Sequence, residues 1–329
     1  FMPDEDDNQI RYHRQILDTI IGIENSEEFI VALAELIKHL AVDHLHIVGD
    51  IFDRGGDADK IMDLLMEYHS LDIEWGNHDI LWMGAACGNE ASIATVVKNN
   101  MKYNNIQILE SGYGISLRSL VLFGEQTYPE LDVMEAAQKA LSIILFKLEG
   151  QTILRHPEYN MEDRLLLDKI DYENKTIVSE QVTYAMKDTN FPTVDKEHPY
   201  ELTEEEQKVI QDLKFSFLNS HRLQKHVDFL FEKGCMYKRY NENLLYHGCI
   251  PLDEQGNFDG IEIDGNTYMG REYLDYAERI VRKVRKGEAG QDGLDFMWYL
   301  WTGKKSPLCG RNIKTFERTF IQDKTAWKE

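Results

Sequence analysis

The chain contains 329 residues, of which 36 are lysine or arginine and 58 are aspartate or glutamate, so its formal net charge is −22. That acidity argues against nonspecific binding to nucleic acid or to an anionic membrane surface. No apolar run approaches the roughly 18 residues that a membrane-spanning helix requires. The length exceeds that of one typical domain, which predicts a core domain with a large insertion.

The four cysteines, at positions 87, 235, 249 and 309, have no paired spacing. Reduced, mostly buried thiols in a cytoplasmic protein are therefore expected, ahead of disulfides or a zinc site. The hydrophobic fraction of 43% is ample for a sizeable core and argues against wholesale disorder.

The N-terminal stretch is acidic and does not start with methionine, so it reads as a cut end or a linker. Asn25 followed by Glu28 suits a capping box. The apolar side chains of residues 29–40 then recur at the spacing of one helix face, which predicts an amphipathic helix.

Two short apolar runs, residues 45–48 and 71–75, each end in a phrase rich in metal-binding residue types. Residues 58–68 between them carry apolar side chains at helical spacing. A strand, helix, strand unit joins parallel strands by a right-handed crossover. Both phrases are therefore expected at the carboxyl ends of neighbouring strands, where open α/β sheets gather ligands.

The two phrases contain residues that suit metal-assisted phosphate chemistry. Asp50 follows a glycine, so the chain can turn sharply and present the carboxylate to a hard divalent cation. Asn77 offers a neutral carbonyl oxygen, and His78 can act as a ligand or a proton donor. Asp53 could hold that histidine, and Arg54 carries a planar guanidinium suited to phosphate oxygens.

Further along, residues 90–100 read as a helix, and residues 106–109 and 117–123 as strands. From about residue 128 the pattern becomes long helices and charge. One helix over 134–148 is expected to end at Gly150, and another is expected to open at a capping box formed by Thr203 and Glu206 and to run towards Gly234. We interpret residues 128–235 as one insertion, either a lid or an oligomer face.

The sheet is expected to resume at residues 236–240 and to return through 244–246 to His247. Asp264 and Gly265 mark a further hairpin. Lys304, Lys305 and Arg311 lie in a loop that contains glycine and proline, and they are candidates for phosphate binding because a loop can turn towards a site.

The ordered phrases Gly49-Asp50-x-x-Asp53-Arg54-Gly55 and Gly76-Asn77-His78-Asp79, with His247-Gly248 after them, resemble the dinuclear metallophosphoesterases. That resemblance implies an α/β fold, a metallophosphoesterase-like α/β/β/α sandwich with a large mostly helical insertion. The core would then comprise residues 1–127 and an incomplete 236–329.

Longer phrases resemble one family, the bacterial class III fructose-1,6-bisphosphatases of Firmicutes and Bacteroidetes. They are residues 43–55, 75–86, 146–151, 188–195, 246–251 and 296–301. The resemblance implies hydrolysis of the 1-phosphate of fructose 1,6-bisphosphate in gluconeogenesis, with manganese as cofactor in a dinuclear site.

The resemblance also implies roles for individual residues. Asp50 would bridge two metals, and Asn77 and His247 would bind one of those two. His78 would protonate the leaving alkoxide with Asp53 orienting it, and Arg54 would hold the phosphoryl oxygens. Asp79 is expected to support the loop instead.

One departure is that the sequence contains no Asp-x-His phrase and no histidine after His247. We therefore expect the chain to be the middle of a longer enzyme and, by itself, a fragment with little activity. Another metallophosphoesterase activity, such as that of a protein serine/threonine phosphatase or a dinucleoside polyphosphate hydrolase, stays open. So does a non-catalytic fragment that binds sugar phosphate or partner subunits, including a homo-oligomer.

Overall fold

The structure is a computed structural model that describes residues 7–22 and 26–327. It is a mixed α/β protein divided into two compact units. One unit consists of the described residues of Phe1–His46 together with Tyr68–Leu71, and the other of those in Ile47–Glu67 and Asp72–Glu329.

The first unit contains helices α1 (Asp7–Ile21) and α2 (Ser26–Ala41). Helix α2 confirms the amphipathic helix predicted before strand β1 (Leu45–Ile47), and the expected cap at Asn25 lies outside the described residues. The apolar side chains of α2 are exposed, and the exposed fraction is 61% for Ile30 and 73% for Leu40.

The second unit holds most of the helices. Their bounds are α3 (Ala58–Met66), α4 (Asn77–Ala86), α5 (Glu90–Lys102), α6 (Arg118–Thr127), α7 (Val133–Arg155), α8 (Glu204–Asn219), α9 (His221–Lys233), α10 (Gly270–Arg285), α11 (Gly290–Thr302) and α12 (Thr315–Phe320). The strands after β1 are β2 (Leu71–Glu74), β3 (Ile170–Asp171), β4 (Thr176–Ser179), β5 (Val182–Ala185), β6 (Gly234–Cys235), β7 (Tyr237–Tyr240), β8 (Asn243–Tyr246), β9 (Gly260–Ile263) and β10 (Asn266–Met269).

The sheet that carries both metal-site phrases has the strand order β1-β2-β6. Strand β2 pairs in parallel with β6, with Ile73 opposite Gly234. Every residue of β2 is buried, as is typical of a strand covered on both faces. The predicted β1, α3, β2 unit is therefore present, with the two strands adjacent in the sheet.

The core beside this sheet is helical. Helix α4 is buried along almost its whole length and packs against α5, α9 and α11. Helix α7 packs against α5 and α6, and a second apolar cluster contains Phe146 of α7 with Phe316 and Phe320 of α12. These contacts fix the relative positions of α4, α5, α7 and α12, which border the candidate site.

Two predicted strands are wrong. Residues 106–109 are helical, the last two of them within a π-helical turn over Ile108–Gly112, and residues 117–123 lie largely in α6. The buried residues of α6 are Leu120, Phe123 and Gly124, which is the spacing of a helix face. Short apolar runs do not distinguish a strand from a buried helix, and here packing on α7 decides.

Two helix ends also differ from the prediction. Helix α7 continues past Gly150 to Arg155, and the helix that opens at Thr203 stops at Asn219. The predicted capping box of Thr203 and Glu206 is present. A new helix, α9, begins after Ser220, whose hydroxyl accepts the N–H of Leu223.

The late hairpins form as predicted, but they do not extend the main sheet. Within residues 7–22 and 26–327, β7 and β8 form a two-stranded sheet of their own, and so do β9 and β10. The sequence predicts that the main sheet resumes at residues 236–240. The strand that pairs with β2 is instead β6, which begins two residues earlier. Among the described residues, no helix is both long and apolar enough to cross a bilayer.

Candidate active site

After strand β1 the chain turns at two consecutive residues with positive φ, Gly49 at 88° and Asp50 at 57°. Positive φ is ordinary for glycine but uncommon for aspartate, and it concentrates at functional sites. The N–H of Asp50 donates to Oδ2 of Asp79 at 2.8 Å, and Oδ1 of Asp50 accepts the N–H of His78 at 3.0 Å. These bonds fix the Asp50 carboxylate against the start of α4.

After strand β2 the chain continues through Gly76, which lies directly against Gly49 and Asp50. A methyl group added at Gly76 would overlap the Asp50 carboxylate, and one added at Gly49 would lie 2.6 Å from the backbone nitrogen of Gly76. Both glycines are therefore required by the close approach of two strand ends. The approach places the N-terminus of α4, with its partial positive charge, next to Asp50.

Asp79 is the internal support of this junction. It is fully buried, and its carboxylate accepts N–H groups from Asp50, Phe52 and Gly76 at 2.8, 3.2 and 2.8 Å. Burial raises the pKa of Asp79 to about 6 even though these backbone hydrogen bonds oppose the shift. Asp79 thus ties the two loops together and contacts no open space, as expected for a loop support.

His247 follows β8 and reaches the same point from the far end of the sequence. Its Nδ1 lies 2.6 Å from the carbonyl oxygen of Val48, and its Nε2 lies 3.4 Å from Oδ2 of Asp50. Burial alone would lower the pKa of His247, but its bonds to Asp50 and Val48 and the Asp50 charge raise it to about 9. Burial would likewise raise the pKa of Asp50, yet His247 and His78 hold it below its usual value.

His78, Asp53 and Arg54 form the other half of the site. The Nε2 atom of His78 lies 2.9 Å from Oδ1 of Asp53, and the His78 ring packs edge-on against Trp301 with centroids 4.7 Å apart. Arg54 binds the same carboxylate through Nε at 3.0 Å and Nη2 at 3.1 Å. Burial lowers the pKa of His78, although the Asp50 and Asp53 charges oppose it.

Asn77 stands at the first position of α4, between Gly76 and His78. The residue is buried, and its side-chain amide nitrogen donates to the carbonyl oxygen of Trp301 at 3.4 Å. This bond leaves Oδ1 as the atom that could bind a cation.

The donor set fits a divalent metal ion. Asp50, Asp53 and His78 each offer a ligand atom, and those atoms lie within 4.8 Å of one another. His247 adds Nε2, because its Nδ1–H is directed to the Val48 carbonyl, the usual outer hydrogen bond of a metal-binding histidine. Mixed carboxylate and imidazole ligands suit ions such as manganese, iron or zinc.

A cavity of about 500 Å³ opens beside this cluster and is lined by Arg54, His78 and Trp301 at that end. Helices α5, α7 and α12 supply much of the remaining wall. Among the described residues, its other basic side chains are Lys98, Lys102, Lys139, Lys187, Arg311 and Arg318. Its acidic side chains are Glu135, Glu149 and Asp188, so the lining carries a positive excess in a chain of net charge −22.

The three loop residues expected to bind phosphate do not all lie at the cavity. Arg311 lines the cavity. Lys304 pairs with Asp163 at 3.0 Å, and Lys305 pairs with Asp259 at 2.8 Å, away from the lining. The sequence did not identify the cations of α5, α7 and α12 as part of a site. One indication was available for Lys98, because it directly follows the run Ile93–Val97, which is buried in α5.

Comparison with known proteins identifies the family. The sequence profile described as Firmicute fructose-1,6-bisphosphatase matches residues 2–329. The chain belongs to the Firmicute fructose-1,6-bisphosphatase family. Within it, a class 3 fructose-1,6-bisphosphatase of Clostridium beijerinckii is 48% identical over 96% of this chain and 51% of its own length. One from Alkaliphilus metalliredigens is 47% identical over 95% of this chain and 51% of its length.

The chain therefore spans about half the length of the curated fructose-1,6-bisphosphatases that it matches. No solved structure matches it. Family membership confirms the resemblance drawn from the sequence phrases.

Proposed function

We propose that the complete protein is a metal-dependent phosphatase that hydrolyses the 1-phosphate of fructose 1,6-bisphosphate to give fructose 6-phosphate, as a step of gluconeogenesis in the cytoplasm. Family membership supports the substrate. The observation that carries the proposal is the pair of contacts Asp50–His247 and His78–Asp53 beside a cavity rich in cations. The free state of the four cysteines is compatible with a reducing compartment.

The proposed architecture is a metallophosphoesterase-like sandwich in which residues 1–127 and 236–329 contribute the core and residues 128–235 a mostly helical insertion. The strand order β1-β2-β6, with Gly49 after β1 and Gly76 after β2 in close contact, supports this core. Helices α7, α8 and α9 make up much of the proposed insertion.

The metal we propose is manganese in a dinuclear site, which Asp50, Asn77 and His247 would help to hold. When bound, such ions supply a nucleophile at neutral pH and neutralise charge on the phosphoryl group. The Val48 carbonyl orients the His247 ring, and the N–H of His78 orients the Asp50 carboxylate. A dinuclear site requires more ligands than these three.

The remaining roles belong to the second cluster. His78 would hold the proton that the leaving sugar oxygen needs, because an alkoxide is a poor leaving group. Asp53, at 2.9 Å from Nε2, keeps the ring oriented and leaves Nδ1 as the atom that delivers the proton. Arg54 would contact phosphoryl oxygens from the cavity wall, since its fork is only partly occupied by Asp53.

A substrate panel tests the proposal. The full-length protein with manganese is offered fructose 1,6-bisphosphate, a phosphoserine peptide and a dinucleoside tetraphosphate, and phosphorus NMR identifies which phosphate is released. We expect the highest kcat/KM on fructose 1,6-bisphosphate with loss of the 1-phosphate signal. Preference for either other substrate, or binding of fructose 1,6-bisphosphate without turnover, would overturn the proposal.

A further inference from the structure

We propose that the cavity beside His78 binds the second phosphate of the substrate, the one that is not cleaved, through Lys98, Arg311 and Arg318. The inference rests on the proposed function, since it takes a sugar bisphosphate as the substrate. Lys98 is half-buried in α5, whereas Arg311 and Arg318 are exposed on the segment around α12. All three line the same cavity as His78 and Arg54.

The central observation is the uncompensated charge of Lys98. Its Nζ donates to Oγ1 of Thr319 at 3.4 Å and lies 4.5 Å from the ring centre of Phe146. Among the residues that the structure describes, Lys98 forms no ion pair with a carboxylate. A half-buried ammonium group without an anionic partner is unfavourable, and a bound phosphate would remove that cost.

Two of the three acidic side chains in the lining already have a basic partner, and for Asp188 that partner, Lys139, lines the cavity as well. Glu149 pairs with Arg164 at 3.2 Å, with both side chains almost fully buried. Asp188 pairs with Lys139 at 2.5 Å. The positive excess around Lys98 is therefore available to an anionic ligand.

Several contacts that hold the cavity wall in place do not involve the side chains of Lys98, Arg311 or Arg318. Lys187 donates to the carbonyl oxygens of Arg318 and Thr319 at 3.0 and 3.4 Å. The hydroxyl of Thr319 donates to the carbonyl oxygen of Thr315 at 2.7 Å. With a volume of about 500 Å³, the cavity is in the size range of small-molecule sites.

The protonation of Lys98 supplies an independent readout. Burial lowers the pKa of Lys98 to about 7, against the opposing charge of Glu149 and with that of Lys102 adding to the shift. A phosphate dianion would favour the ammonium form, so its binding should be accompanied by proton uptake near neutral pH. A lysine with a purely structural role, or one that is already charged near neutral pH, would not take up a proton when phosphate binds.

The test compares two lysine variants of the full-length protein. Lys98→Met keeps the length of the side chain but removes the charge, and Lys208→Met removes an exposed charge on α8 outside the cavity. For Lys98→Met we expect KM for fructose 1,6-bisphosphate to rise about ten- to a hundredfold, the usual effect of losing a charged hydrogen bond. The change on an aryl monophosphate, which has no second phosphate, should stay below about threefold.

Calorimetry in buffers of different ionisation enthalpy completes the test. The wild type and Lys208→Met should take up a proton on binding fructose 1,6-bisphosphate near pH 7.5, and Lys98→Met should take up less. Equal changes in KM on both substrates, or unchanged KM and proton uptake in Lys98→Met, would overturn the inference while leaving the proposed function intact.

If the wild type does not hydrolyse fructose 1,6-bisphosphate, the proposed function fails, and titration of metal-free protein with inorganic phosphate then tests the anion site. Weaker binding in Lys98→Met than in Lys208→Met would support that site, and equal binding would overturn it. If Lys98→Met does not fold by circular dichroism, Arg318→Gln at its exposed position must show the same split between substrates.

Discussion

The Nε2 atom of His247 lies 3.4 Å from Oδ2 of Asp50, so residues from distant parts of the sequence meet at one point. The contact depends on the left-handed turn at Gly49 and Asp50 and on the hydrogen bond from His247 to Val48. It places a carboxylate and an imidazole nitrogen where one cation could bind both.

The charge of Asp50 is expected to be essential for metal binding. In the full-length protein, Asp50→Asn should lower manganese content measured by elemental analysis, because it removes a negative charge at the centre of the ligand set. Asp57→Asn, which alters an exposed carboxylate paired with Lys60, is the matched control and should keep its manganese. Full occupancy in Asp50→Asn would show that Asp50 is not a ligand.

His78 is expected to act in proton transfer. His78→Asn should keep manganese but lose turnover on fructose 1,6-bisphosphate by about a hundred- to ten-thousandfold, the usual cost of removing a general acid. The loss on an aryl phosphate should be far smaller, since a phenolate leaves without protonation. Equal losses on both substrates with metal retained would contradict this role, and loss of metal would make His78 a ligand or support.

The pKa of Lys98 predicts how substrate binding depends on pH. Because this pKa is lowered to about 7, raising the pH from 6 to 8.5 converts the ammonium to the neutral amine and weakens binding of the second phosphate. The ratio of KM in Lys98→Met to KM in wild type should therefore be largest near pH 6 and fall towards one above pH 8. A constant ratio across this range would contradict the prediction.

Stability should depend on a buried ion pair that is remote from the chemistry. Lys147 binds Oε2 of Glu206 at 2.7 Å and the carbonyl oxygen of Thr193 at 2.6 Å, and both charged side chains are at most 1% exposed. Lys147→Met should lower the free energy of unfolding in urea by about 3–5 kcal/mol, because it leaves the Glu206 charge buried without a partner.

The double variant Lys147→Met with Glu206→Gln should recover part of that loss, since no unpaired charge then stays buried. Lys208→Met, a surface change, should alter the free energy of unfolding by no more than about 0.5 kcal/mol. A loss in Lys147→Met that is no larger than this control would show that the pair contributes little.

Local signals in the sequence predicted much of this structure. The apolar runs ending at Gly49 and Gly76 marked β1 and β2, and the Asp264-Gly265 turn marked a hairpin whose two turn residues both have positive φ. Such features depend on neighbouring residues, so a short window contains the necessary information.

What the sequence did not predict depends on distant contacts. Residues 117–123 became helical because one face packs on α7, and β7–β8 stayed apart from the sheet because β6 pairs with β2. The basic cavity draws on α5, α7 and α12, which no sequence pattern brings together. The same limitation explains why the sequence favours Lys304 and Lys305 as phosphate ligands, although each pairs with an aspartate that is distant in the sequence.

The proposed metal-dependent hydrolysis is tested most directly by turnover of fructose 1,6-bisphosphate by the full-length protein after chelation and after reloading with manganese. We expect that the chelated wild type releases no phosphate, that manganese restores release from the 1-position, and that manganese does not restore release in His247→Ala. Turnover that survives complete chelation, or restoration in His247→Ala equal to that of the wild type, would contradict it.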